Sequence, residues 1–180
     1  MYTNIFIHLI TMAKYYSGRY RPKNIGKYEG DYTKIAYRSL WERQVMRFFD
    51  DNDSVLKWSS EEVVIPYICA TDNKLHRYFM DFKVKFKTGH TYLIEVKPES
   101  QTIEPKKRSR TTKKYLNEVM TYAKNTSKWN QAQSYCKDRG YIFEIWTEKT
   151  LTSLGIKLIL NKKKSPRKSK SKSKISKKPI

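Results

Sequence analysis

The chain has 180 residues, with 38 Lys and Arg against 17 Asp and Glu, and its formal net charge is +21. This length fits one domain with a tail rather than two large domains, and two cysteines are too few for a disulfide scaffold. The mean hydropathy of −0.79 and the lack of an apolar run near the roughly 20 residues of a membrane span exclude an integral membrane protein. The positive charge favours a polyanionic partner, nucleic acid first.

The N-terminal residues differ in character from the rest. The stretch MYTNIFIHLIT is partly apolar, but it has no preceding basic residue and no small-residue cleavage site, so it does not predict a signal peptide. A strongly basic segment opens at Met12, and the sequence leaves open whether Met1 or Met12 is the natural start. We treat residues 1–14 as an extension and residues 15–160 as the folded domain.

The first predicted helix covers residues 39–51. Ser39 and Glu42 have the spacing of a capping box, in which each side chain satisfies a free backbone N–H of the first turn. Apolar residues then recur at helical intervals, namely Trp41, Val45, Phe48 and Phe49.

Strands are predicted next. Residues 61–68 read as a strand, with Pro66 indicating a sheet edge. Residues 77–87 and 91–97 are typical of a hairpin around the turn 88–90. Two helices follow, over 112–125 and 127–139, the second ended by a glycine; then come a strand over 141–146 and a short helix capped by Thr147. This order predicts an α/β sandwich around a small mixed sheet.

The predicted hairpin brings charged side chains together. With a three-residue loop at 88–90, Lys87 pairs with Thr91, which puts Asp81 opposite Lys97 and diagonal to Glu95 on one face of the sheet. Two carboxylates beside a lysine suit metal-dependent phosphodiester hydrolysis, because Mg²⁺ prefers oxygen ligands and activates water. The alternative is a solvated strand face with a weak surface ion pair.

A family resemblance supports the first interpretation. In chain order, the stretches that carry it are YSGRYRPKN, YRSLWE, VLKWSSEEVVIPYI, LHRYFMDFKV, LIEVKP, YLNEVMTYAKN and YCKDRGYIFEIWTE. They cover about residues 15–150 and resemble the head-completion nucleases of T-even-type tailed phages, within the PD-(D/E)xK nuclease superfamily. The endonuclease subunit of Tn7-like transposition is similar at a greater distance. The resemblance implies a restriction-endonuclease-like mixed sheet flanked by helices.

The resemblance also implies roles for particular residues. Asp81 and Glu95 would be metal ligands for Mg²⁺ or Mn²⁺, joined by the backbone carbonyl of Val96, and Lys97 would be the catalytic lysine. Glu42 would complete the site as a helix-borne acid, although its position in the capping box is a second explanation for it. In one departure, Met80 stands where the family pattern usually has proline.

Two basic segments are candidates for binding DNA. The first is either a solvated loop or a phosphate-contacting one, and its basic residues are Lys106, Lys107, Arg108, Arg110, Lys113 and Lys114. The second is the segment 161–180, which has ten basic residues, no acid and almost no apolar content, and which we expect to be disordered. It is either a DNA-grasping arm or a solubilising or targeting tail.

These observations predict a metal-dependent deoxyribonuclease that binds double-stranded DNA at its ends, in phage head completion after genome packaging. Head and neck proteins are its expected partners, and the virion or the host cytoplasm is its expected location. Two alternatives remain at this stage: a non-catalytic DNA-binding plug of the head vertex, and a transposon-end nuclease subunit. Cleavage activity separates the plug from the two nucleases.

Overall fold

The computed structural model of the protein describes residues 16–159. The extension 1–14 and the basic tail 161–180 lie outside the described residues. None of the helices between residues 16 and 159 is both long enough and apolar enough to cross a bilayer.

Eight strands and three α-helices make up the described chain. They are, in order, β1 (Gly18–Arg19), β2 (Ala36–Tyr37), α1 (Leu40–Asp51), β3 (Val55–Ser60), β4 (Val64–Cys69), β5 (Lys74–Phe79), β6 (Phe82–Phe86), β7 (Thr91–Val96), α2 (Lys113–Lys137), β8 (Ile142–Trp146) and α3 (Glu148–Ser153). Short 3-10 turns occur at Ile25–Lys27 and Glu99–Gln101.

A mixed four-stranded sheet forms the centre, with the strand order β3-β6-β7-β8. The pairs β3–β6 and β6–β7 are antiparallel, whereas β7 and β8 are parallel. Parallel neighbours need a long crossover, and the 25-residue helix α2 supplies it. Strands β4 and β5 form a separate antiparallel pair, and β1 and β2 form another.

Two apolar clusters cover opposite faces of the central sheet. One lies between the sheet and α1 and includes Phe49, Phe82 and Ile94. The other lies between the sheet, the β4–β5 pair and α2, and includes Leu93 and residues from both of those elements, such as Tyr78 and Ala132. Neighbouring residues of β7 therefore enter different clusters, as side chains alternate along a strand. This layered arrangement confirms the predicted mixed sheet flanked by helices.

The helix α1 forms as the sequence predicts. The Ser39 hydroxyl accepts a hydrogen bond from the Glu42 N–H at 3.1 Å, which satisfies one of the free donors of the first turn. Val45, Met46 and Phe49 are then buried on one side of the helix.

The two helices predicted over 112–125 and 127–139 are one continuous helix, so that prediction was wrong. The polar pair at its centre does not break it, because the Thr126 and Ser127 hydroxyls donate to the carbonyls of Tyr122 and Ala123 one turn back. Its end was predicted correctly: Gly140 has φ +66, and the Tyr141 N–H donates to the Cys136 carbonyl at 2.9 Å. A left-handed glycine with this hydrogen bond is the Schellman ending of a helix.

The strand predicted over 77–87 is also wrong as a single element. It divides at Met80 and Asp81 into β5 and β6, which belong to different sheets. Strand β3 was not predicted; it pairs with β6 at Val55 and from Lys57 to Ser60, with an irregularity between Val55 and Lys57.

The register of the β6–β7 hairpin differs from the prediction by two residues. Phe82 pairs with Ile94 and Lys85 with Thr91, because the loop closes with a hydrogen bond from the Phe86 N–H to the His90 carbonyl. The Lys87 N–H donates instead to the Ser54 carbonyl. An even shift leaves every side chain on its predicted face, since side chains alternate with a period of two.

The N-terminal segment is attached to α1 through one buried carboxylate. Asp50 is fully buried, and its side chain accepts hydrogen bonds from the backbone N–H groups of Lys23 at 2.7 Å and Asn24 at 3.0 Å. The Tyr20 hydroxyl also donates to it, at 3.2 Å. The neighbouring Asp51, in contrast, is exposed and forms ion pairs with Lys23 and Arg47 at the surface.

The adjacent aspartates allow a matched test of this attachment. We expect Asp50→Ala to lower the free energy of unfolding by about 2–4 kcal/mol, because it removes a fully buried carboxylate that accepts three hydrogen bonds and leaves a cavity in its place. Asp51→Ala removes only exposed ion pairs, so its free energy of unfolding should stay near the wild-type value. Urea unfolding of the two variants measures the difference, and equal stabilities would contradict the role assigned to Asp50.

Candidate active site

Side chains from two neighbouring central strands, β6 and β7, meet at one end of the sheet, where β6 begins and β7 finishes. Asp81 lies immediately before β6, Glu95 is the second-last residue of β7, and Lys97 follows β7 directly. The observed register, continued by one residue beyond the Phe82–Ile94 pair, puts Asp81 opposite Glu95 rather than opposite Lys97. The two carboxylates are therefore direct cross-strand neighbours, closer than the diagonal arrangement predicted.

Hydrogen bonds hold each carboxylate in place. The Val96 N–H donates to Asp81 Oδ2 at 2.8 Å. Glu95 is 1% exposed; its Oε1 is 2.8 Å from Lys97 Nζ, and its Oε2 accepts a hydrogen bond from the Tyr78 hydroxyl at 2.8 Å. The lysine thus pairs with Glu95, and the burial of Glu95 contradicts the alternative of a solvated strand face.

The electrostatics of the site show an excess of negative charge. Burial raises the pKa of Asp81 well above its ordinary value, and the charge of Glu95 raises it further. Burial alone would lower the pKa of Lys97, but the charges of Glu95 and Asp81 outweigh it and raise that pKa above its ordinary value. Burial and the same two carboxylates also raise the pKa of Tyr78, which keeps its hydroxyl protonated as a donor.

Glu42 lies where it can both cap helix α1 and act on the carboxylate cluster, the two roles that the sequence left open. Its Oε1 accepts a hydrogen bond from the Ser39 hydroxyl at 2.8 Å, and its Oε2 accepts one from the Arg38 N–H at 2.7 Å, so it takes part in the start of α1. Burial raises the pKa of the Glu42 carboxyl, and Lys97 lies close enough for its charge to oppose that increase. Glu42 also raises the pKa of Asp81 through its charge. The same side chain therefore caps the helix and contributes to the potential of the site.

The donor set fits a divalent cation. Two carboxylates lie side by side, Glu95 buried and Asp81 half-buried, and burial together with the charge of Glu95 raises the pKa of Asp81. A hard cation with oxygen ligands compensates such negative charge. Asp81 and Glu95 are the residues placed to hold it, and the Val96 backbone lies beside them through its bond to Asp81.

Two residues of this site were missed by the sequence analysis. In one uninterrupted strand over 77–87, Tyr78 and Asp81 would fall on opposite faces; the division between β5 and β6 instead lets the Tyr78 hydroxyl reach Glu95. The second residue is Lys128 on α2, whose Nζ lies 5.1 Å from the centroid of the Tyr78 ring. Lys128 falls within the helix predicted over 127–139, but the local sequence pattern does not show that this position packs beside Tyr78.

The departure at Met80 has a structural explanation. Met80 is 1% exposed, and its N–H donates to the Val63 carbonyl at 2.9 Å. Proline has no N–H and could not form this bond, which links the start of β4 to the residue before Asp81. Methionine at this position therefore fixes the chain just before Asp81 through a backbone hydrogen bond that proline could not form.

The predicted DNA-binding loop is attached to the first turns of α2. Arg108 donates to Glu118 Oε2 at 2.9 Å and lies over the Tyr115 ring, and Lys114 is 4.0 Å from Glu118. Between residues 16 and 159, none of the six basic residues of the loop bonds to the carboxylates of the site. These six residues are Lys106, Lys107, Arg108, Arg110, Lys113 and Lys114, all exposed.

A separate group of metal-ligating side chains lies at the turn between β4 and β5. Cys69, Asp72 and His76 offer ligand atoms within 4.8 Å of one another, with donor types that suit transition metals. His76 Nε2 is 2.9 Å from Asp72 Oδ2, and the Cys69 thiol shares a hydrogen bond with the Thr71 hydroxyl at 3.1 Å. These internal bonds stabilise the turn.

Comparison with known proteins finds similarity over most of the chain. Residues 52–148 match the family described as TnsA-like endonuclease, N-terminal. The head completion nuclease of Enterobacteria phage T4 is 44% identical over 146 residues, which cover 79% of this chain and 97% of that protein. Asp81, Glu95, Lys97 and Lys128 lie inside the range of the family match, whereas Glu42 lies before it.

The excess charge of the site predicts an effect of pH on the metal-free protein. Because the folded state raises the pKa of Asp81, folding favours the protonated carboxyl, and stability falls as the pH rises from about 3.8 through the raised pKa. The amide of Asp81→Asn stays neutral at every pH of the experiment, and its oxygen can still accept the hydrogen bond from the Val96 N–H. In the presence of a chelator we therefore expect this variant to be more stable than the wild type at about pH 8, by a margin that shrinks in acid.

Urea unfolding with EDTA over a series of pH values measures this margin. Asp53→Asn is the control, because Asp53 is an exposed carboxylate outside the site. If Asp81→Asn is no more stable than the wild type at alkaline pH, the site does not have the excess of negative charge that we infer.

Proposed function

Because the chain belongs to the TnsA-like endonuclease family and to that of the phage head completion nucleases, we propose that it is a divalent-metal-dependent deoxyribonuclease acting in phage head completion. The observation that carries the proposal is the cluster in which Asp81 and the buried Glu95 are cross-strand neighbours and Lys97 Nζ lies 2.8 Å from Glu95. The relative from phage T4 covers more of the chain than the TnsA-like match, which favours head completion over a transposition role.

Each residue of the cluster has a role in phosphodiester hydrolysis. Asp81 and Glu95 would hold the cation, Mg²⁺ or Mn²⁺, and the Val96 carbonyl would be a further ligand. When bound, the cation lowers the pKa of water and neutralises charge that develops on the phosphate. Lys97 remains protonated in this field and either orients the attacking water or binds the scissile phosphate. Glu42 adds a third carboxylate at the start of α1.

The substrate of the proposed reaction is double-stranded DNA, with its ends as the preferred position. The exposed basic residues of the loop 106–114 would contact the phosphate backbone without reading bases. Arg108 and Lys114 already lie next to the carboxylate of Glu118, which partly compensates their charge. Lys106, Lys107 and Arg110 are therefore the better candidates for contacting phosphate. The basic tail would add contacts of the same kind, and head and neck proteins are the proposed protein partners.

Cleavage of linear duplex DNA tests the proposal directly. We expect the wild type to cleave with Mg²⁺ or Mn²⁺ and not with EDTA, and we expect Asp81→Ala and Lys97→Met each to reduce the rate by at least about 100-fold. Lys83→Met is the matched control: Lys83 is on the same strand β6, but it forms an ion pair with Glu29 at 2.9 Å instead of joining the cluster. It should cleave at close to the wild-type rate.

The outcomes separate the candidate functions. Activity that persists in both Asp81→Ala and Lys97→Met would reject this site. A wild type that binds DNA but cleaves with neither metal would favour the non-catalytic plug of the head vertex.

Glu42→Gln separates the two roles of Glu42. Glutamine serves equally in a capping box, so we expect the free energy of unfolding to change by less than about 1 kcal/mol. It lacks the negative charge, so we expect cleavage to fall by about 10-fold or more. Urea unfolding and the cleavage assay, run on one preparation, measure both effects. Full activity in this variant would reduce Glu42 to a helix cap.

A further inference from the structure

Lys128 is a second lysine directed at the carboxylate cluster from a different layer of the fold. Its helix α2 packs on the side of the central sheet where Glu95 and Tyr78 are buried. The Lys128 ammonium lies 5.1 Å from the centroid of the Tyr78 ring, and the hydroxyl of that ring donates to Glu95. A cation above an aromatic face is attracted by the ring electrons, which holds the ammonium next to the site.

The ammonium of Lys128 differs from that of Lys97 in its partners. Lys97 has a carboxylate oxygen at 2.8 Å, whereas within residues 16–159 no carboxylate oxygen lies within 4 Å of Lys128 Nζ. Lys128 is nevertheless half-buried, and burial lowers the pKa of its ammonium even though Glu95 and Asp81 oppose that change. A half-buried cation without an ionic partner is costly for the free protein and favours an incoming anion.

The formal charges of the site indicate which anion fits. Glu42, Asp81 and Glu95 carry three negative charges when ionised, and Lys97 returns one positive charge. One divalent cation then neutralises the cluster. A phosphodiester brings one further negative charge, which the ammonium of Lys128 would balance.

We propose that Lys128 is a phosphate-binding residue of this site, whose ammonium contacts a non-bridging oxygen of the DNA strand held over Glu95 and Asp81. The proposal rests on the function proposed above, because it takes the DNA backbone as the ligand. In it, Tyr78 has a positioning role: the hydroxyl orients Glu95, and the ring supports the ammonium of Lys128. Glu95 and the phosphate contact are thus both set by one buried aromatic side chain.

The helix offers a matched control. Lys124 precedes Lys128 by one turn on the same side of α2 and is exposed. Lys128→Met and Lys124→Met therefore remove the same charge from the same helix, and only the first removes the contact with the Tyr78 ring. Lys128→Arg keeps the charge, and Lys128→Gln is a second neutral variant if methionine disturbs folding.

Two measurements on the full chain test the proposal. The first is affinity for a short linear duplex in Ca²⁺ over a series of salt concentrations. One lost phosphate contact should reduce the slope of log affinity against log salt by about 0.9 in Lys128→Met, and Lys128→Arg should retain the slope. The second is the single-turnover cleavage rate at saturating enzyme in Mg²⁺, which should fall about 100-fold in Lys128→Met and by less than about 3-fold in Lys124→Met. Urea unfolding confirms that the variants are folded.

The two measurements fail independently. An unchanged salt slope in both Lys128→Met and Lys128→Gln would overturn the phosphate contact, whether or not the wild type cleaves DNA. If the variants show the expected salt slopes but the wild type cleaves DNA with neither Mg²⁺ nor Mn²⁺, the proposed nuclease function is overturned and the phosphate contact stands. Equal losses of slope and of rate in the Lys124 and Lys128 variants would reduce both lysines to general surface charge and overturn the proposal.

Discussion

Asp81 and Glu95 lie opposite each other at one end of the β6–β7 pair, where Glu95 is buried and Asp81 half-buried, so their mutual repulsion is the constraint around which this end of the molecule is built. The Val96 N–H holds one carboxylate, and Tyr78 and Lys97 hold the other. These bonds fix the geometry of the two carboxylates, but only Lys97 contributes a positive charge against their negative charges. The protein therefore keeps a local instability at this position, which the proposed cation would relieve; a cost in stability of this kind is common where activity needs a destabilised site.

The two-layer cover of the sheet explains how one short chain supplies all the groups. Strand β7 is buried on both faces, so its even residues pack under α1 while Glu95 faces β5 and α2. The interruption at Met80 and Asp81 lets a single stretch of chain give a tyrosine to the outer pair of strands and an aspartate to the central sheet. Helix α1 meanwhile presents Glu42 from its first turn, where a carboxylate also stabilises the helix.

The basic residues of the domain stand in three different settings. Lys97 is paired with a carboxylate, Lys128 is half-buried without one, and the loop after β7 carries exposed basic residues attached to α2 through Glu118. These cations differ in how far their charge is already compensated within the protein. In the proposed function they would bind the DNA backbone without reading bases.

Local patterns in the sequence determined much of this protein. The capped helix over α1, the glycine that ends α2, the face of the hairpin that carries Asp81 and Glu95, and the net basic charge all follow from spacing and residue type, because each depends on neighbours a few residues away. Only the tertiary structure decided the two-residue register, since the Lys87 N–H is taken by the distant Ser54, and the division of β5 from β6, which depends on the separate β4–β5 pair. The site residues contributed by packing, Tyr78 and Lys128, were invisible for the same reason: their neighbours are close in space and far apart in the chain.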